Sequence, residues 1–180
     1  MEGVYRTRSG YAGGSLEDPT YRNLGDHTET IQVEFDPSVI TYAELLQVFW
    51  DSHNPTGRPW SRQYMSIIFY HDPAQEQAAR DSKAAVEANL GTAVYTELAP
   101  FINFYLAEEY HQKYYLQGIS ELTAELRAYY PDYRDFTDST AAARINGLIA
   151  GYGSIEQLLD QIDGYGLSSS GKEKLKSLVK

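Results

Sequence analysis

Along the first two-thirds of this chain the hydrophobic residues switch between a period of two and a period of about 3.6, and the order of those switches limits the fold more than any single motif. Glu29 to Phe35 alternates, with Ile31, Val33 and Phe35 on one face, which predicts a half-buried strand ended by Asp36-Pro37. Thr41 follows as an N-cap and Glu44 completes a capping box. Leu45, Leu46, Phe49 and Trp50 supply the apolar stripe of a helix running to about Ser52. Tyr64 to Tyr70 is a β-rich run stopped by Asp72-Pro73. Ala74 to Leu90 has the Ala, Glu, Gln and Lys content of a helix, with Gly91 as its stop. Val94 to Leu98 and Ile102 to Leu106 are short strands. Strand, helix, strand, helix, strand is the order of an α+β two-layer sandwich on a split βαβ, ferredoxin-like core.

Beyond about Gln117 the texture changes. Ile119 to Tyr129 has helical periodicity, Pro131 breaks it, and three short segments follow, capped at Thr137 or Asp138, at Ser154, and at Ser168 to Ser170. Leu148, Leu158, Leu159, Ile162, Leu175 and Leu178 give these segments apolar faces, so they form a packed helical tail rather than a disordered one. Residues 1–117 are therefore assigned to one domain and 118–180 to a C-terminal helical appendage.

A formal net charge of -10 excludes a nucleic-acid or anionic-membrane partner, because both need a basic footprint to displace counterions. No uninterrupted apolar run reaches the length of about 20 residues that spans a bilayer. A cytoplasmic location is the default, with an upstream targeting peptide left open. There is no cysteine, which excludes disulfides, thiolate metal sites and any thiol mechanism carried by these residues. His27, His53, His71 and His111 do not fall in a metal-ligand spacing, so no metal site is assigned and each His is read as a local hydrogen-bond partner or exposed.

Gly10 to Gly25 and His53 to Pro59 read as polar loops, the usual place for function. Gly13-Gly14 lacks the Gly-Lys-Ser/Thr of a phosphate cradle and reads as a tight turn. The sixteen tyrosines, taken singly, are half-buried amphipathic rings.

Several blocks, in order, resemble the peptide methionine sulfoxide reductases of the A class. They are Thr7-Arg8-Ser9-Gly10-Tyr11-Ala12-Gly13-Gly14, Asp18-Pro19-Thr20-Tyr21, His27-Thr28-Glu29, Phe35-Asp36-Pro37, His53-Asn54-Pro55-Thr56, Arg62-Gln63-Tyr64 and Ala107-Glu108-Glu109-Tyr110-His111-Gln112. The resemblance implies reduction of the S epimer of methionine sulfoxide, free or in a peptide. By motif it makes Glu29 the catalytic acid and Tyr21 and Tyr64 the substrate-binding phenols. It implies no bound cofactor, and an external thiol reductant of the thioredoxin type as partner. The chemistry suits those residues: a sulfoxide oxygen leaves only once protonated, so a partly buried carboxyl can act as general acid while neutral phenols stabilise the developing charge.

The family pattern fails in three places. Its Gly-Cys-Phe-Trp segment, which should lie shortly before Glu2, is absent together with the nucleophile, and no resolving cysteine follows. Pro59, followed by Trp60, stands where the family commonly has an Asp near the substrate, and the link from Tyr21 to Glu29 is short. The chain is expected to be inactive alone. It is read either as a truncated reductase, whose missing nucleophile is Cys or selenocysteine, or as a cysteine-free module that binds methionine sulfoxide or a peptide without reducing it. Loss of a whole segment, rather than of one residue, favours truncation. On that reading a groove is left where a core strand should lie.

Overall fold

The computed structural model describes residues Met1–Val179. Its first strand, β1 (Val4–Ala12), occupies residues whose end the sequence assigns to a loop. The reason lies in what β1 buries. Arg6 and Arg8 hold its partly buried positions by ion pairing, so hydrophobic alternation does not register there. Gly10 fits inside the strand because a methyl group at that position would collide with the Phe104 ring and the Tyr105 carbonyl.

β2 (Thr28–Phe35) follows as the alternation predicts. Helix α1 (Tyr42–Asp51) starts at Thr41, whose Oγ1 accepts from the Glu44 N–H at 3.2 Å while the Glu44 carboxylate accepts from the Thr41 N–H at 2.7 Å. β3 (Ile67–Tyr70) leads into α2 (Pro73–Leu90), where Asp72 caps the Gln75 N–H at 2.8 Å and Pro73 fills the first turn. β4 (Glu97–Pro100) returns parallel to β3, pairing Ile67 with Glu97 through Tyr70 with Pro100, so β3, α2 and β4 form a βαβ unit. Leu46, Trp50, Ile68, Ala79 and Val94 make its core, and the Trp50 indole N–H donates to Ser82 Oγ at 3.1 Å. The last strand, β5 (Phe104–Leu106), runs antiparallel to β1. The class is α+β as expected, with the strands divided between a three-stranded sheet in the order β2-β1-β5 and the two-stranded β3-β4 sheet.

Helices make up the rest: α3 (Tyr114–Gln117), α4 (Ser120–Tyr129), α5 (Tyr133–Asp138), α6 (Thr140–Ile149), α7 (Ile155–Gln161) and α8 (Ser169–Leu178). Ser154 and Ser168 cap α7 and α8 as the sequence indicates. The cap expected at Thr137 or Asp138 lies instead at Ser139, whose Oγ accepts from the Ala142 N–H at 3.1 Å. Asp132 opens a separate helix, α5, that takes up Thr137 and Asp138. Leu116, Leu122, Leu126, Phe136, Ile145, Leu158 and Leu175 are all fully buried and form one core.

The chain falls into two units. One comprises Met1–Arg8, Gln32–Phe35 and the chain from Glu108 onward; the other comprises Ser9–Ile31 and Asp36–Ala107. In the first unit, Arg8 reaches Asp138 with both Nε (2.5 Å) and Nη2 (2.8 Å) and gives Nη1 to Glu34 (2.5 Å) and Gln32 (2.8 Å). Arg6 adds ion pairs to Glu34 at 3.1 Å and Asp138 at 3.3 Å. The paired guanidinium holds the Asp138 carboxyl below its ordinary range. Lys113 is buried beside this network and donates to the Thr7 carbonyl at 2.5 Å. Burial is the main cause that pulls the Lys113 ammonium down to about 8, opposed by Asp138 and helped by Arg8.

Between about pH 8 and its ordinary 10.5, Lys113 binds fewer protons in the folded chain than in the unfolded one, so its contribution to stability rises with pH across that window. Chemical denaturation from pH 7 to 10 should show that rise in the wild type relative to Lys113→Met; parallel curves would contradict it. Leu126→Ala should cost about 2–5 kcal/mol in the same assay, the usual effect of opening a cavity at a fully buried leucine.

Candidate functional site

Backbone geometry at two loops and a strand end brings the candidate residues together. Thr20 and Asn23 exchange backbone hydrogen bonds at 3.1 and 2.9 Å, which closes a tight turn with Tyr21 near its tip. Glu29 is the second residue of β2, and Tyr64 ends a 3-10 turn over Arg62–Tyr64. Thr28 Oγ1 donates to the Arg62 carbonyl at 2.9 Å and so fixes the start of β2 against that turn. The Arg62 side chain bonds Glu97 at 2.6 Å and the Asp26 carbonyl at 3.4 Å.

The Gln63 amide then bridges two candidates, donating to Glu29 Oε1 at 2.7 Å and lying 3.2 Å from the Tyr64 hydroxyl. A hydrogen bond to Tyr21 is the main cause that raises the Tyr64 phenol above its ordinary value, with desolvation and the charges of Tyr21 and Glu29 adding to it. Tyr64 therefore stays a neutral donor across the physiological range. Tyr21 and Tyr64 are 39% and 40% exposed, and Glu29 is exposed rather than partly buried as the sequence reading expects.

The surrounding loops are shaped by close approaches. Gly13 has φ +81, and a methyl on it would strike the Phe69 ring at 2.7 Å. The buried His27 accepts the Gly14 N–H at Nδ1 (3.1 Å), which leaves the proton on Nε2 to donate to the Leu16 carbonyl at 2.8 Å. Gly13-Gly14 and His27 therefore shape a loop. His53 is likewise engaged, with Nδ1 at 2.8 Å from the Phe49 carbonyl and Nε2 at 2.9 Å from Ser66 Oγ. Among the described residues no group of three His, Cys, Asp or Glu could hold a metal ion, and no helix is long and apolar enough to cross a membrane.

Residues 1–139 match the family model of peptide methionine sulfoxide reductase. The chain belongs to that family. Residues 134–180 match a second model, the helical domain of selenoprotein methionine sulfoxide reductase A. The peptide methionine sulfoxide reductase of Drosophila melanogaster is 43% identical over 173 residues, covering 95% of this chain and 69% of that protein. That of Methanococcoides burtonii is 44% identical over 126 residues, 64% of this chain and 82% of its own. Among solved structures, reduced Mxr1 from Saccharomyces cerevisiae superposes with a TM-score of 0.61 at 30% identity, covering 66% of this chain and 74% of that one. Methionine sulfoxide reductase A of Corynebacterium diphtheriae gives 0.55 at 32% identity, covering 66% and 65%.

In this member of the reductase family, Gln63 links Glu29 to Tyr64 and Tyr64 is bonded to Tyr21, while no described residue is a cysteine. Reading from sequence named Glu29, Tyr21 and Tyr64 but gave no role to Gln63, whose position directly before Tyr64 was the available signal. Trp60 enters that reading only as the residue that follows Pro59. The Trp60 ring in fact stacks on Tyr64, with centroids 4.7 Å apart and planes 25° apart.

Tyr21→Phe removes the main cause that raises the Tyr64 phenol, so that group should titrate closer to its ordinary value. Carbon-13 NMR of ring-labelled tyrosine, with Tyr64→Phe to assign the resonance, measures it; an unchanged titration would show that the two hydroxyls are not coupled.

Proposed function

We propose that this chain carries the acid-and-phenol half of a methionine sulfoxide reductase site. Tyr21 and Tyr64 hold the sulfoxide oxygen and Glu29 gives it a proton. The substrate is the S epimer of methionine sulfoxide, in peptides or free. The observation that carries this reading is the bridge from Glu29 through Gln63 to Tyr64, with Tyr21 bonded to the same phenol, within a chain of this family. It assigns the reductase part to residues 1–117 and a helical extension to 118–180.

Reduction also needs a nucleophile to attack the sulfoxide sulfur and take up its oxygen, and these 180 residues hold no cysteine. The chain alone is therefore inactive. A thiolate or selenolate that it does not carry completes the site, and the selenoprotein form named for the matching helical domain favours selenolate as one of the two. A thioredoxin-type thiol would restore that nucleophile after each turnover. No cofactor is bound in this reading. The absence of a thiol also supports a second reading, a non-catalytic module that binds methionine sulfoxide or a peptide containing it.

Isothermal titration with a blocked methionine S-sulfoxide peptide should show binding that weakens about three- to tenfold in Tyr64→Phe and in Glu29→Gln, the usual effect of losing one hydrogen bond in a site. Binding untouched by both substitutions would rule the assignment out. Chromatographic assay with dithiothreitol should show no methionine above the uncatalysed background, and turnover would refute the inactivity of the chain alone.

A further inference from the structure

The chain has two tryptophans, and they are placed in opposite ways. Trp50 is 6% exposed and belongs to the βαβ core, whereas Trp60 is 81% exposed. An indole this open is costly to hydrate and has no role in the core. It is nonetheless held in place, since one face stacks on the Tyr64 ring and the preceding residue is a proline. The other face is turned away from Tyr64, next to the phenol that the proposed function assigns to the sulfoxide oxygen.

We propose that Trp60 is a specificity residue whose outer face receives an apolar side chain next to the oxidised methionine, so that the site prefers peptides to the free amino acid. This rests on the reading of Tyr64 and Glu29 given above. Consecutive Cα atoms in a peptide are about 3.8 Å apart, so a neighbour of a methionine sulfoxide seated at Tyr64 falls within reach of a ring stacked 4.7 Å from it. The charge of the loop selects the type of side chain. Arg62, two residues after Trp60, is neutralised by its ion pair with Glu97 at 2.6 Å, whereas the exposed Arg58, two residues before, disfavours a lysine or arginine at a position where the ring would otherwise attract a cation. An apolar side chain gains from covering the indole and meets no such repulsion. Free methionine sulfoxide has no neighbouring side chain and gains nothing from Trp60.

Two blocked peptides distinguish the outcomes, one with leucine and one with glycine after the methionine S-sulfoxide, titrated calorimetrically into the full chain. Wild type should bind the leucine peptide about fivefold more tightly, the effect of partly burying one leucine side chain. Trp60→Ala should bring the two affinities together, and Trp60→Phe should keep most of the difference. Iodide should quench Trp60 fluorescence less in the leucine complex than in the glycine complex. Equal affinities in wild type, or a difference that survives Trp60→Ala, overturn the proposal. If the glycine peptide binds equally well in wild type, Tyr64→Phe and Glu29→Gln, the site reading itself fails and the assignment of Trp60 fails with it.

Discussion

The Arg8 guanidinium is the tie on which one whole unit depends. Its fork to Asp138 joins the first strand to the end of α5, and its remaining nitrogen holds Glu34 and Gln32 on β2. A planar fork matches a carboxylate with two parallel bonds, which fixes direction as well as distance, and a lysine could not replace it on the same terms. The buried Lys113 adds a second bond to the same stretch of β1 through the Thr7 carbonyl. Arg6, Thr7 and Arg8 are thereby attached to elements of a helical core that is almost entirely apolar.

The candidate site follows a different physical logic. Its residues are placed by hydrogen bonds to backbone rather than by burial: Thr28 to the Arg62 carbonyl, Arg62 to the Asp26 carbonyl, and Gly14 to His27. Each fixes a loop at one point and leaves the outward side chains in water. That is why Tyr21, Tyr64 and Glu29 can converge while remaining exposed, and why Trp60 can stand almost fully open with one face braced on Tyr64. The arrangement presents two phenol hydroxyls, a carboxyl and an amide. It has no group that could attack sulfur.

Residues whose role is local were legible from sequence. The Thr41–Glu44 box, the stop at Gly91 and the caps at Ser154 and Ser168 depend only on near neighbours in the chain, and they fall where the sequence puts them. Roles that depend on a distant partner are not legible in the sequence. The strand β1 escapes a reading from sequence because two of its partly buried positions are arginines satisfied by Glu34 and by Asp138, a residue far along the chain. Asp138 reads as a cap from its neighbours alone, because nothing nearby reveals that it belongs to α5 and faces Arg8. Gln63 stands in the Arg62-Gln63-Tyr64 block without a role of its own because its partner, Glu29, lies on another element.

By itself the sequence determined the α+β class, the helical end of the chain, the choice of the candidate trio through its ordered motifs, and the lack of a thiol. These follow from local periodicity, capping chemistry and composition, which need no knowledge of what meets what. Only the tertiary structure decided that Glu29 is open to water, that Gln63 links it to Tyr64, and that Trp60 leans on that same phenol. Exposure and hydrogen-bond partners are set by which loops close on each other, and loop closure is fixed by contacts between residues that the sequence leaves far apart.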